Sequence, residues 1–265
     1  MAIVFAVRGD SLNARYSNNG ATPYKNGVPA PVVAADATSI NGVNSIDMVG
    51  SGITGRGLIF SGYTNTPSVI ARSVLFRVKF ASLAIMGLGG LGGFDRDPIN
   101  FMGVSITATP EITVTIANEK SQTDSGTTTS SGLGTTAWHD IGVSWTGDTT
   151  TSGMLVAVDG VVKLTDTMTR SLPTYDDNER RGCDNHYIGS NYTAGNTHFL
   201  IDEYVVWDTV QDFTSSTFAL TSGAGALDGA ARTAYLDVAA LDGLAVSQAS
   251  TGGGSINMGK GGFSI

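Results

Sequence analysis

The feature that most constrains this chain is a two-residue alternation of apolar and polar side chains in short runs, each broken by Gly, Asn, Asp or Pro. In residues 73–80, Val74, Phe76, Val78 and Phe80 fall on one side and Ser73, Leu75, Arg77 and Lys79 on the other. Ile112, Val114 and Ile116 alternate with Thr113 and Thr115, and Ile141, Val143 and Trp145 precede Met154, Val156 and Val158 in the same phase. Side chains on an extended backbone alternate between faces, so this period predicts half-buried strands. Asp159-Gly160 supplies the two positions with positive φ that a tight hairpin needs, returning the chain through Val161, Val162 and Leu164. Residues 3–7, 104–108 and the apolar pieces Val32-Val33 and Leu58-Ile59-Phe60 add further strands, the last two within a loop-rich stretch from 11 to 62. The expected fold is all-β.

Composition agrees. In 265 residues there are 35 glycines and only 14% charged residues, which suits many turns between many strands and not long amphipathic helices. At 41% hydrophobic content a chain of this length can bury a large core. A net charge of −8 disfavours a nucleic-acid backbone as partner, and no apolar run reaches membrane-spanning length. Met1–Val7 is too short and lacks the basic region of a signal peptide. Cys183 has no partner in the chain, which points to assembly in a reducing cytoplasm.

Several motifs read as structure. Arg8-Gly9-Asp10 follows a strand, where Gly-Asp is ordinary turn chemistry. The glycines of residues 84–93 lack the Gly-Lys-Ser/Thr ending of a phosphate loop, and are expected to be a strand running into a flexible loop. The Ser-, Thr- and Gly-rich tract 121–136 is expected to be an extended loop, and the charged stretch 172–185 a solvated one.

The order of the strand at Trp138, the Val158-Asp159-Gly160 hairpin, Tyr187-Ile188-Gly189 and Ile201-Asp202-Glu203-Tyr204-Val205-Val206-Trp207 resembles the laminin-G-like, concanavalin-A-like jelly-roll superfamily. The resemblance covers residues 70–210 well and the first 70 weakly. It implies an antiparallel two-sheet jelly-roll sandwich. Members of that superfamily bind glycans or proteins, bind calcium at a sandwich rim, or hydrolyse glycosides, and fold alone does not choose among these.

The residues argue against chemistry. Glycoside hydrolysis needs a spaced carboxyl pair, and Glu111, Glu119, Glu179 and Glu203 offer none. Asp202 and Glu203 are adjacent, so on a regular strand they point to opposite faces and only one can face a given cleft. His139, His186 and His198 accompany no nucleophile elbow, and Cys183 with His186 is the one conceivable thiol pair. No resident cofactor is expected, although calcium is possible, with Asp159, Asp176, Asp177 and Asp184 as candidate oxygen donors. Tyr175, Tyr187, Tyr192 and Trp207 are candidate glycan contacts that could equally be packing residues.

After Asp208 the texture changes. Residues 230–235 could form a brief helix, and the glycine-rich end has too little apolar content for its own core. The expected organisation is a sandwich over 1–210 and a docking extension over 211–265. That texture is similar to accessory proteins of tailed bacteriophages. The leading expectation is therefore a non-enzymatic virion surface protein, assembled in the host cytoplasm. It would contact capsid or tail subunits as a symmetric homo-oligomer. A lectin-like module for surface glycan is the alternative, and an unrecognised glycoside hydrolase or lyase the third.

Overall fold

The computed structural model describes residues 3–9, 12, 14–17, 22–26, 31–36, 38–39, 44–48, 57–61, 73–92, 101–117, 123–145, 152–168, 185–189, 198–207 and 209–214. Among these there are strands and no helix. In chain order the strands are β1 (Ile3–Arg8), β2 (Ala14–Ser17), β3 (Thr22–Asn26), β4 (Val32–Ala35), β5 (Asn44–Asp47), β6 (Gly57–Ser61), β7 (Ser73–Phe80) and β8 (Met86–Gly92). They continue with β9 (Phe101–Ile106), β10 (Ile112–Ala117), β11 (Thr123–Thr127), β12 (Trp138–Trp145), β13 (Ser152–Val158), β14 (Val161–Met168), β15 (Asn185–Gly189) and β16 (Phe199–Trp207).

They build two antiparallel sheets. A nine-stranded sheet runs β14-β13-β12-β7-β16-β1-β2, with β5 also bonded to β16 and β4 to β5. A seven-stranded sheet runs β11-β10-β9-β8-β15-β6-β3. Between them lies a core of the alternating residues: Val74, Phe76, Val78, Ile141, Val143, Trp145, Tyr204 and Val206 from the first sheet meet Leu58, Phe60, Met102, Val104, Val114 and Ile188 from the second. Burial of such side chains stabilises by about 1.5–3 kcal/mol each before the entropy of ordering is subtracted. The Tyr204 hydroxyl crosses the core to donate to the Gly90 carbonyl at 2.9 Å, joining the sheets by a buried hydrogen bond. Along one side the sheets close on each other where the Gly126 backbone meets Leu164, Met154 and Asp166. The two-sheet sandwich expected from the alternation is thus the fold.

The Asp159-Gly160 hairpin forms as expected, with φ of 51° and 78° and Val158 opposite Val161. Two expectations are corrected. The glycine run is no loop: β8 is hydrogen-bonded to β9 on one side and β15 on the other. Glycine is required there because a Cβ on Gly90 would stand 1.9 Å from the Met102 carbonyl oxygen. The Ser/Thr tract likewise begins as a strand, β11, paired along β10. Its continuation is pinned: Thr128 Oγ1 and the Ser131 amide both donate to the Glu111 carboxylate, and Ile112 N donates to Thr128 Oγ1 at 3.0 Å.

The outer face of the nine-stranded sheet is buried at its middle strands. Leu75, Arg77, Asp140, Val205 and Trp207 are all buried there. Phe213 lies on Gly142, where a Cβ would come within 2.3 Å of its ring, and packs edge to face on Trp207. Ser73 Oγ donates to the Thr209 carbonyl and accepts from Gln211 N. Packing therefore continues past residue 210, to Phe213 among the described residues.

Candidate functional site

With the inner faces of both sheets in the core and the middle of one outer face buried, the outer face of the seven-stranded sheet is a broad surface among the described residues. Its composition follows from register. Because Met102, Val104, Ile112, Val114, Ile116, Leu58, Phe60 and Ile188 face the core, the residues between them occupy the outside. Cross-strand pairing links Tyr24 with Ile59, Ile59 with Tyr187, Tyr187 with Gly90, Gly90 with Gly103, Gly103 with Thr115 and Thr115 with Ser125. This single row crosses all seven strands, which at about 4.8 Å per strand makes it roughly 29 Å long. A parallel row aligns Thr22, Ser61, Asn185, Gly92, Phe101, Ala117 and Thr123. A third holds Gly87, Ser105, Thr113 and Thr127.

No Asp, Glu, Lys or Arg occurs in any of these rows. Ser125 and Thr127 are exposed, and Gly87, Gly103, Ser105, Thr113 and Thr115 half-buried. The Thr113 and Thr127 hydroxyls hydrogen-bond each other at 2.9 Å. A hydroxyl both donates and accepts, so the face offers paired hydroxyls beside the half-buried Gly87 and Gly103. Chemically it can hold an uncharged, hydroxyl-rich ligand, and it has no fixed charge to attract an ionic one.

The sequence candidates separate clearly. Tyr187 occupies the central row of this face. Trp207 does not belong to it: the residue is fully buried on the opposite sheet beneath Phe213, a packing residue and not a sugar platform. Both carboxylate oxygens of Asp159 are engaged, one accepting from His139 Nδ1 at 2.7 Å and the other from the Asp140 amide at 2.8 Å. Tyr175, Tyr192, Asp176, Asp177, Asp184 and Cys183 lie outside the described residues. Among the described residues no three His, Cys, Asp or Glu side chains stand together as a metal-binding group.

The expectation that Asp202 and Glu203 point apart is corrected by a bulge. Ile201 pairs with Val78 and Glu203 with Arg77, which leaves Asp202 as an extra residue between the inward Ile201 and Tyr204. Asp202 Oδ2 lies 3.4 Å from Arg77 Nε, and Asp140 Oδ1 lies 3.6 Å from Arg77 Nη1. The Trp138 ring stacks on the same guanidinium at 5.6 Å. All of these side chains are nearly or fully buried, so the acids serve an internal charge cluster and face no cleft. Glu111 and Glu203 belong to different sheets, and Glu111 anchors Thr128 and Ser131. His186 is sealed in the core, stacked on Phe5 at 4.0 Å, and burial pushes its imidazole down to about 3. Gly9 of the Arg-Gly-Asp triplet is buried, its amide donating to the Asp202 carbonyl at 2.6 Å.

No protein-family model matches the sequence, and no curated protein matches it. Solved structures do match in fold. The binding domain of botulinum neurotoxin serotype D superposes with a TM-score of 0.54 at 11% identity, over 80% of this chain and 50% of that one. The binding domain of neurotoxin DC, solved with rat synaptotagmin II, gives 0.54 at 12% identity over 79% and 49%. A type C structure, described under dependence of cell entry on two ganglioside molecules, gives 0.53 at 13% over 80% and 49%. At such identity the likeness is one of fold, and this chain spans about half the length of the chains it matches.

Proposed function

We propose that this protein is a non-catalytic, lectin-like module that binds neutral glycan across the outer face of its seven-stranded sheet. The observation that carries the reading is the set of cross-strand rows without a charged residue, with the hydroxyl-bearing Ser105, Thr113, Thr115, Ser125 and Thr127 beside Gly87 and Gly103. A hydroxyl can both donate to and accept from the hydroxyls of a sugar. The fold neighbours support a binding role for such a sandwich, since serotype D is described with N-acetylneuraminic acid bound and type C with gangliosides. Those ligands carry acidic sugars, or sialic acid itself, whereas the face here is neutral, and the proposed ligand differs accordingly.

The test is a glycan array followed by calorimetry on the leading neutral oligosaccharide. Thr115→Lys, on the half-exposed central row, is expected to weaken binding at least about tenfold while leaving the melting temperature within about 2 °C. Because no acid lines the face, a calcium chelator is expected to leave binding unchanged. Neutral glycans bound no better than background, or equal affinity in wild type and Thr115→Lys, would reject the assignment. Mounting of this module on a bacteriophage particle is a separate proposal, tested by finding the chain in purified virions.

A further inference from the structure

His139 sits at the rim of the core, opposite Val78 on β7, with its ring 6.3 Å from Phe80. Its two nitrogens do different jobs. Nε2 accepts a hydrogen bond from the Gly134 amide at 3.0 Å, so the ring proton resides on Nδ1, which donates to Asp159 Oδ2 at 2.7 Å. Asp159 is itself fixed, with φ of 51°, its amide donating to the Asp140 carbonyl at 2.9 Å and its Oδ1 accepting from the Asp140 amide. The imidazole thus ties the exposed residues 135–137 and the preceding glycine to the β13–β14 turn. Upstream, the same segment is held independently through Glu111 at Thr128 and Ser131.

We infer that His139 is a proton-operated latch for the segment from Gly132 to Ala137, closed with neutral imidazole and released when the ring takes a second proton. A protonated Nε2 is a donor and cannot accept from Gly134, while the Nδ1–Asp159 contact becomes charge-assisted and survives. The two bonds therefore respond oppositely to one proton. The charged group on the ring is Asp159 on the turn, and the ammonium of Lys163 on β14 reaches toward Gly132 in the latched segment. Asp140, next in sequence, turns to Arg77 on the other side of the sheet, and Glu111 holds the upstream anchor. The latch is independent of the glycan reading, since neither the ring nor the segment belongs to the rows of the seven-stranded face.

The test is amide exchange and ring titration by NMR on the full chain, from about pH 8 to about pH 5, the interval over which an imidazole changes charge. Gly134 exchange, corrected for its intrinsic rate, is expected to rise about tenfold, the factor of one ordinary hydrogen bond lost, along the titration curve of the His139 ring itself. His139→Gln, which retains an acceptor for Gly134, is expected to keep that amide protected across the whole interval, and His139→Asn, which retains only the donor to Asp159, to leave it unprotected throughout. Gly134 protection that ignores the ring's titration in the wild-type protein would overturn the inference, as would equal protection in His139→Gln and His139→Asn.

Discussion

His186 shows how a single side chain sets the protein's response to acid. Its imidazole is enclosed by Phe5 and Tyr204, and burial alone lowers its proton affinity. The unfolded chain takes up a proton near pH 6.5, while the folded one resists to about 3, so the unfolded state binds more protons throughout that window. Stability associated with this residue is complete above pH 6.5 and falls as pH drops, by about 1.4 kcal/mol per unit. Urea unfolding at about pH 7 and about pH 5 is therefore expected to differ by about 2 kcal/mol more in wild type than in His186→Leu. Equal pH dependence in the two proteins would show that His186 is not the acid-sensitive residue. Nothing near His186 in the sequence marks it as core, because an isolated His on a short strand has no alternation of its own to display.

At the scale of elements, legibility in the sequence follows side-chain contrast. β7, β10, β12 and β13 were readable because branched or aromatic residues alternate with polar ones, and β14 because Asp159-Gly160 sets its turn. β8 was not, since a glycine strand has no side chains to alternate and its cause lies across the sheet at Met102. The candidate face was half legible: Thr113 and Thr115 could be placed opposite the core, but their alignment with Gly90 and Tyr187 depends on register that no local pattern encodes. The bulge in β16 was invisible for the same reason, since only the pairing with β7 identifies Asp202 as supernumerary. This gives an element-scale expectation. Deleting Asp202 restores regular alternation from Ile201 to Trp207 and removes one carboxylate from Arg77, so the protein should fold with a loss of about 1–3 kcal/mol. Deleting Val205 instead flips Val206 and Trp207 to the wrong faces and should abolish folding. Thermal unfolding by circular dichroism distinguishes them, and equal tolerance of both deletions would contradict the bulge assignment.

For the whole molecule, the decisive contacts join the two ends of the described chain. β16 is bonded to β7, to β1 and, at its start, to β5, so it occupies the middle of the nine-stranded sheet. β1 pairs along it from Ile3 opposite Trp207 to Arg8 opposite Glu203, and contributes Phe5 to the core. Removing residues 1–9 exposes a central strand edge and uncovers His186, and is expected to yield aggregated protein with no cooperative melting transition. A soluble, cooperatively melting truncation would show that the sheet does not need β1. The same pairing imposes a schedule on biosynthesis. The first strand leaves the ribosome roughly two hundred residues ahead of its partner, a wait of about 10–40 s at ordinary elongation rates. During that interval β1 must be sheltered by something other than its final neighbour, which makes it a natural client for chaperones that meet emerging polypeptides.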